Sequence, residues 1–463
     1  MLDVESQQRL FDRLRDLFVD RRAYSVDPAE CAVYAYDNSR REAIPDAVVF
    51  PTTHEQVVAL VAICREHGIA LTARGRGTNT TGASVPVSGG IVASFERMTR
   101  ILAIDPANRL AVVEPGVLNA DLQIALKPHG FFWAPDPTSA PFCSIAGNIA
   151  CNAGGPRAVK YGATRDNVLA LRAINGRGEE FRCGKPTSKG ATGYDLTRLL
   201  IGSEGTLAVI TEATLKLTPL ASDKRTLRAT YADIASAAAA VARIMAQPVT
   251  PCALEFMDDE ALRLARNHAG ESIPEAGALL IVEVDGEADA LPAAVATVSR
   301  AARGDGLIEL HVATDAAEVT RLWAARKALS PALRTLAPNK INEDVVVPVS
   351  RVPELIAGLK DISARHGIPI VTFGHAGNGN IHVNLLHHPE DPEQAAQVSA
   401  CLSAVFDLVF ALDGSLSGEH GIGLSKREFM PRALDPVALE MMRRIKDQFD
   451  PDGILNPGKL LPD

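Results

Sequence analysis

Two short glycine-flanked segments in the last quarter of the chain carry the residues best suited to chemistry. GHAGNGNIHVN (374–384) places one histidine in a glycine loop and a second, His382, on the strand that follows. SGEHG (417–421) adds a carboxylate and a third histidine. Because side chains alternate along a strand, His382 and Asn384 share one face, opposite the aliphatic residues beside them.

Two histidines and one carboxylate form a common ligand set for a divalent metal ion, and they leave positions open for a substrate. A further histidine beside such a site could serve as a general base. The alternative is that these are separate polar loop residues, but four ionisable groups in two glycine-flanked loops favour a site. The chain contains no HExxH, which excludes the helical zinc-protease arrangement.

Three earlier glycine-rich segments could bring their backbone close to a ligand. RGRGTNTTGAS (74–84) follows a predicted strand and suits a phosphate cradle, although a flexible surface loop explains it equally well. Its G-x-G-x4-G spacing is not the dinucleotide fingerprint. SIAGNIACNAGG (144–155) could lie against a planar cofactor or form a tight structural turn, and IGSEGTLAVI (201–210) is a glycine turn before a buried strand.

Composition and charge restrict the class of protein. The 463 residues are 47% hydrophobic and 22% charged, which is ordinary globular usage and, at ~150 residues per domain, predicts two large or three smaller domains. A formal charge of −9 disfavours general binding of nucleic acid or anionic membranes. An anionic small molecule needs only a few local cations and stays compatible.

The cysteines and the apolar runs indicate the compartment. Seven scattered cysteines include no CxxC and no iron–sulfur run, which is typical of free thiols in a reducing compartment. The N-terminal segment lacks the pattern of a signal peptide, and no uninterrupted apolar run approaches the ~20 residues of a membrane span. We therefore expect a cytoplasmic protein, with peripheral contact at the inner face of the membrane left open.

The predicted elements place these segments between helices and strands. Residues 1–45 are expected to be a helix and a polar connector, and Thr53 is expected to cap a helix at His54–His67. Residues 134–167 have the composition of a long ordered loop. Beyond Leu220, alanine-rich helices alternate with short strands, and a hairpin is predicted at 368–386.

Taken in order, the motifs resemble the FAD-linked oxidase family that includes D-lactate dehydrogenase, the glycolate oxidase flavin subunit and D-2-hydroxyglutarate dehydrogenase. The series is PTTHEQV, RGRGTNTTGAS, PDPTS, SIAGNIACNAGG, IGSEGTLAVIT, GHAGNGNIHVN, SGEHGIG and DPDGILNPGKL. The resemblance implies an α+β protein: a vanillyl-alcohol-oxidase-type FAD-binding domain (1–220), an α+β substrate or cap domain (221–420), and a segment (421–463) that returns to the FAD domain.

The resemblance also implies the FAD-binding residues. Those expected to line the pyrophosphate are Arg76, Gly77, Thr78, Asn79, Gly82 and Ser84. Those expected to contact other parts of FAD are Pro135, Asp136, Gly147, Asn148, Asn152, Gly155, Gly162, Glu204, Gly205, Ile210 and Asn456.

By the same resemblance, the metal ligands would be His375, His382 and Glu419, which would hold Zn²⁺ or Mn²⁺, and His420 would be the general base. The expected substrate-binding residues are Arg326, which follows a Leu-Trp pair, Ser330 one helical turn on, Lys340 as a second cation, and Asn384.

The implied activity is the oxidation of a D-2-hydroxy acid to the 2-oxo acid, with hydride passing from C2 to flavin N5. D-lactate is favoured over glycolate and D-2-hydroxyglutarate. Without iron–sulfur cysteines, the electrons must pass to an external acceptor: a quinone, a cytochrome, an electron-transfer flavoprotein or an iron–sulfur subunit. No nucleic-acid partner is expected, and a homodimer is left open.

Three other readings stay open at this point. One is a flavin-free metal hydrolase that uses the same histidines and glutamate. Another is a non-catalytic flavin subunit of an electron-transfer complex, which would be expected to lose those residues. The last is an aryl-alcohol or ether flavoenzyme of the same fold, which would need neither the metal-type set nor a carboxylate clamp.

We predict that FAD binds non-covalently. Many proteins of this fold attach FAD through a histidine in the pyrophosphate loop, whereas residues 74–84 contain neither His nor Cys. Acid precipitation of the purified protein should leave a colourless pellet and a yellow supernatant. A yellow pellet would contradict the prediction.

Overall fold

The computed structural model describes residues 4–20, 22–269 and 274–462, which divide into two units. The first unit comprises the chain as far as Gly154, the range Gly162–Leu220, and the segment from Glu419 onward. The second comprises Gly155–Tyr161 and Ala221–Gly418.

The helices and strands of the described residues are named here in chain order. The helices are α1 Val4–Leu17, α2 Pro28–Val33, α3 His54–His67, α4 Asn119–Leu126, α5 Ile145–Cys151, α6 Ala158–Tyr161, α7 Leu196–Leu200, α8 Ile234–Ala246, α9 Asp259–Ala269, α10 Leu291–Ala302, α11 Ala316–Ala332, α12 Val352–His366, α13 Pro392–Ala411, α14 Met430–Ala433 and α15 Pro436–Phe449. The strands are β1 Tyr24–Ser25, β2 Ala47–Val49, β3 Leu71–Arg74, β4 Ile91–Ser94, β5 Ile101–Asp105, β6 Leu110–Val113, β7 Phe131–Phe132, β8 Val168–Asn175, β9 Glu180–Gly184, β10 Ala208–Lys216, β11 Thr218–Pro219, β12 Asp223–Tyr231, β13 Ala253–Asp258, β14 Ala278–Gly286, β15 Leu307–Val312, β16 Asn339–Val346, β17 Ile370–His375 and β18 Asn380–His387.

Two sheets build most of the first unit. The four-stranded sheet has the order β1-β2-β4-β3, and β4 pairs in parallel with both β2 and β3. The five-stranded sheet, β5-β6-β10-β8-β9, is antiparallel and packs on a core that includes Trp133. The end of the chain joins the edge of the first sheet, because the Leu71 N–H donates to the Ile454 carbonyl and the Asn456 N–H donates to the Leu71 carbonyl.

The second unit is built on one antiparallel seven-stranded sheet of order β15-β12-β14-β13-β17-β18-β16. The helices α9 and α11 share a core with one of its faces, where Leu264 and Leu329 meet Met257 and Phe373. Residues two apart on a strand share a face, as do directly opposed residues on antiparallel strands. The face under α9 and α11 therefore also carries Glu255, beside Met257 on β13.

Local signals explain where the helices begin and end. Thr53 caps α3 by accepting the Gln56 N–H, and Gly68 ends that helix in the left-handed region with φ +61°. Both features follow the sequence pattern, since a hydroxyl side chain satisfies a free N-terminal donor and glycine adopts positive φ without steric cost.

Two sequence-based boundaries are corrected by the structure. The N-terminal helix ends at Leu17, and residues 24–33 form a short strand and a second helix within the expected connector. The range 134–167, expected to be a loop, contains α5, which begins where Ser144 accepts the Gly147 N–H. The small residues of α5 hide the usual apolar period, which is why composition indicated a loop.

By length and composition, α13 is the one helix among the described residues that could cross a membrane. Glu393 and Asp407 lie within this segment, so it contains no uninterrupted apolar run of that length. A single helix of this kind is weak evidence, since core helices of soluble proteins meet the same criterion. The helix buries Val398, Val405 and Val409.

We predict that Asp258 makes stability fall as the pH rises. Its carboxylate accepts the Ala261 N–H at 2.7 Å and the Thr372 hydroxyl at 2.8 Å, and burial raises its pKa to about 7. The folded chain keeps the carboxyl proton of Asp258 at pH values where the unfolded chain has already released it. The stabilisation that comes from holding this proton is therefore lost as the pH rises through about 7. Between pH ~5 and pH ~8 the Tm of Asp258→Asn should fall less than that of the wild type.

An exposed carboxylate elsewhere in the second unit provides the control. Asp289→Asn makes the same change of side chain at the surface and should keep the wild-type pH dependence of Tm. Parallel pH profiles for the wild type and Asp258→Asn would show that Asp258 does not titrate in this range.

Candidate active site

The two histidines of the glycine-rich hairpin meet on the second unit's sheet. His375 ends β17 and His382 lies on β18, where it opposes Phe373. The imidazole centroids are 5.2 Å apart, at an interplanar angle of 82°, and both side chains are buried. The hairpin brings the rings together because His382 opposes Phe373, which lies two residues before His375 on the same face, so the two imidazoles are diagonal neighbours.

Glu419 is positioned by the backbone just before it. Gly418, the last residue of the second unit, donates its N–H to a carboxylate oxygen of the fully buried Asp344 at 2.9 Å. The Ser417 hydroxyl donates to the same carboxylate at 3.0 Å. Glu419, the third predicted ligand, follows this anchored backbone directly in the chain.

A buried carboxylate contacts one ring nitrogen of His375. Glu255 Oε1 lies 2.5 Å from His375 Nδ1, and Glu255 Oε2 lies 2.8 Å from Arg326 Nε. Burial alone would raise the pKa of Glu255, but the charges of His375 and Arg326 outweigh it and hold the pKa below its usual range.

The residues fit a divalent metal ion. Two imidazoles and one carboxylate are hard-to-borderline donors that suit Zn²⁺ or Mn²⁺, and His375 has the carboxylate partner on its second nitrogen that metal-binding histidines commonly have. On the strand of His382, Asn384 Oδ1 is buried and accepts no hydrogen bond from the described residues, while its Nδ2 donates to the Val371 carbonyl.

The predicted substrate cation lies on the same face of the sheet. Arg326 on α11 is 9% exposed, and its guanidinium lies 4.7 Å from the centroid of Phe373. Its Nε donates to Glu255, and its two terminal nitrogens make no hydrogen bond within the described residues. A largely buried guanidinium with two adjacent donors available suits a bidentate carboxylate.

The other predicted substrate residues are placed as follows. Lys340 on β16 opposes Leu386, so alternation puts it on the face that carries His382 and Asn384. The backbone of Ser330 lies in α11, but its side chain is outside the described part of the structure.

In the first unit, the loop after β3 is tied to the backbone of the predicted base. Asn79 Nδ2 donates to the His420 carbonyl at 2.9 Å, and Asn79 Oδ1 accepts the N–H groups of Thr81 and Ala83. The Thr80 hydroxyl in this loop is buried and has no hydrogen-bond partner among the described residues. An orphaned hydroxyl in a glycine-rich loop fits the polar diphosphate of FAD.

Glu204 accepts hydrogen bonds from the backbone that follows His420. Its carboxylate accepts the N–H of Ile422 at 2.6 Å and the N–H of Gly423 at 2.8 Å. Gly421 has φ +83°, and a Cβ there would lie 2.5 Å from Glu204 Oε1, so a side chain would be strained and would displace the carboxylate. Burial raises the pKa of Glu204 to about 7, although these N–H groups oppose the change.

Several other predicted FAD residues also hold loops together. Asn456 Nδ2 donates to the carbonyls of Ala83 and Glu204, and Asn148 Oδ1 accepts from Asn119. Asn152 ends α5 at φ +51°. Their contacts with FAD stay predictions.

The rest of the predicted FAD set is spread over the loops and strands of both units. Arg76, Gly77, Thr78, Gly82 and Ser84 lie in the loop after β3, Pro135 and Asp136 after β7, Gly147 in α5, Gly162 after α6, Gly205 before β10, and Ile210 in β10. Gly155 belongs to the second unit.

Sequence reasoning missed Glu255 and Asp344, the carboxylates that position the predicted ligands. Glu255 lies in the strand ALEFMD, and Asp344 lies in the strand NKINEDVV. In both strands the residues directly before and after the carboxylate are buried. A carboxylate inside a buried strand is costly unless it is paired, which is the signal that could have identified both residues.

Comparison with known proteins assigns the class. The model of the FAD binding domain matches residues 45–184, and that of the C-terminal domain of FAD linked oxidases matches residues 220–460. Among solved structures, p-cresol methylhydroxylase superposes with a TM-score of 0.82 at 17% identity, covering 100% of this chain and 98% of that one. The 4-ethylphenol oxidase from Gulosibacter chungangensis gives 0.77 at 18% identity, with the same coverage. The predicted vanillyl-alcohol-oxidase-type fold is confirmed.

Sequence relatives assign the family. The glycolate oxidase subunit GlcD of Bacillus subtilis is 37% identical over 92% of each chain. The D-lactate dehydrogenase of Anaerostipes hadrus is 35% identical over 93% of this chain and 91% of its own. The D-2-hydroxyglutarate dehydrogenase of Stutzerimonas stutzeri is 33% identical over 97% and 98%.

The chain belongs to the FAD-linked oxidase family and is an FAD-dependent oxidoreductase. The flavin-free hydrolase considered above is therefore wrong, because the chain contains the FAD-binding domain.

We predict that Glu204→Gln loosens the segment that follows His420. An amide has one acceptor oxygen, so one of the two N–H groups loses its partner, at a cost of about 1–3 kcal/mol for a buried donor. The amide hydrogens of Ile422 and Gly423 should then exchange at least ~10-fold faster, as measured by hydrogen exchange and mass spectrometry of the FAD-loaded protein.

Glu212→Gln is the matched control. Glu212 lies on β10, beyond the same glycine turn, and pairs at the surface with Arg182. That variant should leave exchange at 420–424 unchanged. Equal exchange in all three proteins would show that Glu204 does not restrain the segment.

Proposed function

We propose that the protein is a metal-assisted dehydrogenase that oxidises a short D-2-hydroxy acid, with D-lactate favoured, to the 2-oxo acid. The observation that carries this proposal is the arrangement around Glu255. One of its oxygens bonds a metal-type histidine, and the other bonds an arginine whose terminal nitrogens make no hydrogen bond with the described residues. A 2-hydroxy acid presents the matching groups: a hydroxyl and carboxylate that chelate a cation, and a carboxylate that pairs with a guanidinium.

Each residue then has one task. Arg326 binds the substrate carboxylate through its terminal nitrogens, and Lys340 adds positive charge on the same face of the sheet. A divalent ion held by His375, His382 and Glu419 would supply Lewis acidity that lowers the pKa of the substrate hydroxyl. His420 accepts the hydroxyl proton.

FAD, when bound, would supply the hydride acceptor for C2. The electrons then pass to an external acceptor, since the seven cysteines are free thiols and none belongs to an iron–sulfur motif. We place the reaction in the cytoplasm, with a quinone, a cytochrome, an electron-transfer flavoprotein or an iron–sulfur subunit as the acceptor.

The relatives support a 2-hydroxy acid but do not choose among them. Their names specify glycolate, D-lactate and D-2-hydroxyglutarate, at identities between 33% and 37%. We assign both Arg326 and Lys340 to one substrate carboxylate and no cation to a second one, which favours a short acid over a dicarboxylate.

Anaerobic reduction of the visible flavin spectrum tests the proposal. D-lactate, L-lactate, glycolate and D-2-hydroxyglutarate are added separately to the FAD-loaded protein, with and without a chelator. We expect D-lactate to bleach the flavin rapidly, the chelator to slow bleaching, and Zn²⁺ or Mn²⁺ to restore it. A flavin that none of the four acids bleaches with metal present would contradict the proposal.

We predict that His420→Ala slows flavin reduction by D-lactate by at least ~10²-fold, the usual scale for loss of a general base. Stopped-flow absorbance under anaerobic conditions measures this step alone. His129→Ala, which removes an exposed histidine of the same unit, should reduce its flavin at the wild-type rate. Reduction of His420→Ala at a rate close to that of the wild type would rule out His420 as the base.

A further inference from the structure

Glu255 lies at the centre of the second unit's sheet and bonds two functional side chains at once. It stands on β13, between β14 and β17, and is 1% exposed. One carboxylate oxygen faces His375 Nδ1 at 2.5 Å, and the other faces Arg326 Nε at 2.8 Å. Each oxygen therefore has a different partner.

The contact with His375 determines which ring nitrogen carries the proton. A carboxylate accepts hydrogen bonds and does not donate them, so Nδ1 of His375 must bear hydrogen. The neutral ring then presents the lone pair of Nε2, which is the form that ligates a metal ion. The same bond fixes the plane of the imidazole.

The contact with Arg326 determines how the guanidinium is presented. The bond at Nε fixes one edge of the planar group, and Phe373 supports its face at 4.7 Å. The edge formed by the two terminal nitrogens makes no hydrogen bond within the described part of the chain and can receive a ligand. A guanidinium held in this way loses less conformational entropy when a carboxylate binds.

We propose that Glu255 is a positioning residue that prepares both halves of the site: the tautomer of His375 for the metal ion, and the orientation of Arg326 for the substrate carboxylate. The inference rests on the proposed function and deepens it. One carboxylate makes metal binding and carboxylate binding depend on the same side chain, so a single isosteric change should weaken both.

Glu255→Gln tests the proposal with little change in shape. The amide offers one acceptor and one donor group. Because Arg326 Nε always carries hydrogen, the amide oxygen stays on Arg326 and the NH2 group faces His375 Nδ1, which must then accept instead of donate. We expect the affinity of the FAD-loaded protein for Zn²⁺, measured by competition with a chromophoric chelator, to fall ~10- to 100-fold. The KM for D-lactate should rise as well, by more than kcat falls.

Glu283→Gln is the matched control. Glu283 lies on the adjacent strand β14, is 5% exposed, and accepts from Trp323 Nε1, Thr226 Oγ1 and Lys224 Nζ. Its replacement removes a buried carboxylate from the same sheet without touching His375. We expect a lower Tm with Zn²⁺ affinity unchanged.

A second variant separates positioning from folding. Glu255→Asp keeps the charge and both acceptors on a shorter side chain, so it should recover part of the Zn²⁺ affinity that Glu255→Gln loses. Zn²⁺ affinity within ~2-fold of wild type in folded Glu255→Gln, or equal losses in the Gln and Asp variants and in Glu283→Gln, would overturn the proposal.

The tautomer of His375 distinguishes failure of this inference from failure of the proposed function. A wild-type protein that binds no Zn²⁺ would refute the metal-assisted function. Nitrogen-15 shifts of labelled histidine in the metal-free protein, assigned with His375→Gln, would still decide the role of Glu255. We expect the Nδ1–H form in the wild type and its loss in Glu255→Gln; the same tautomer in both would overturn the inference.

Discussion

The pairing of one buried carboxylate with two cationic or proton-donating side chains is the constraint on which the second unit depends. Glu255 is buried in the middle of a sheet, where an unpaired charge would be strongly unfavourable. It is tolerated because His375 and Arg326 supply a donor to each oxygen. The condition that permits the burial also orients the two side chains toward their proposed ligands.

Buried acceptors play a similar part around the segment that carries Glu419 and His420. Asp344 binds the backbone just before Glu419, and Glu204 binds the backbone just after His420. Asn79 binds the carbonyl of His420 itself. These side chains satisfy main-chain groups of an irregular segment that has no ladder of its own, and so fix the backbone around the proposed ligand Glu419 and the proposed base His420.

Much of the fold was predictable because it is determined locally. The cap of α3 at Thr53, the bounds of α15 and the β17–β18 hairpin follow from capping residues, apolar periodicity and glycine turns. Helix α5 was missed because its side chains are too small to show an apolar stripe. The metal-type residues were predictable from their types and their glycine-flanked spacing, whereas the residues that orient them were not.

The sequence by itself determined the family, the FAD-binding class and the candidate ligands, because ordered motifs record residue types that chemistry requires. Only the tertiary structure decided that Glu255, 120 residues before His375, is its partner. The same holds for the bonds of Glu204, a predicted FAD-binding residue, to the backbone N–H groups of Ile422 and Gly423. Such pairings arise from strand order and loop packing between distant segments, and no local pattern of residues encodes them.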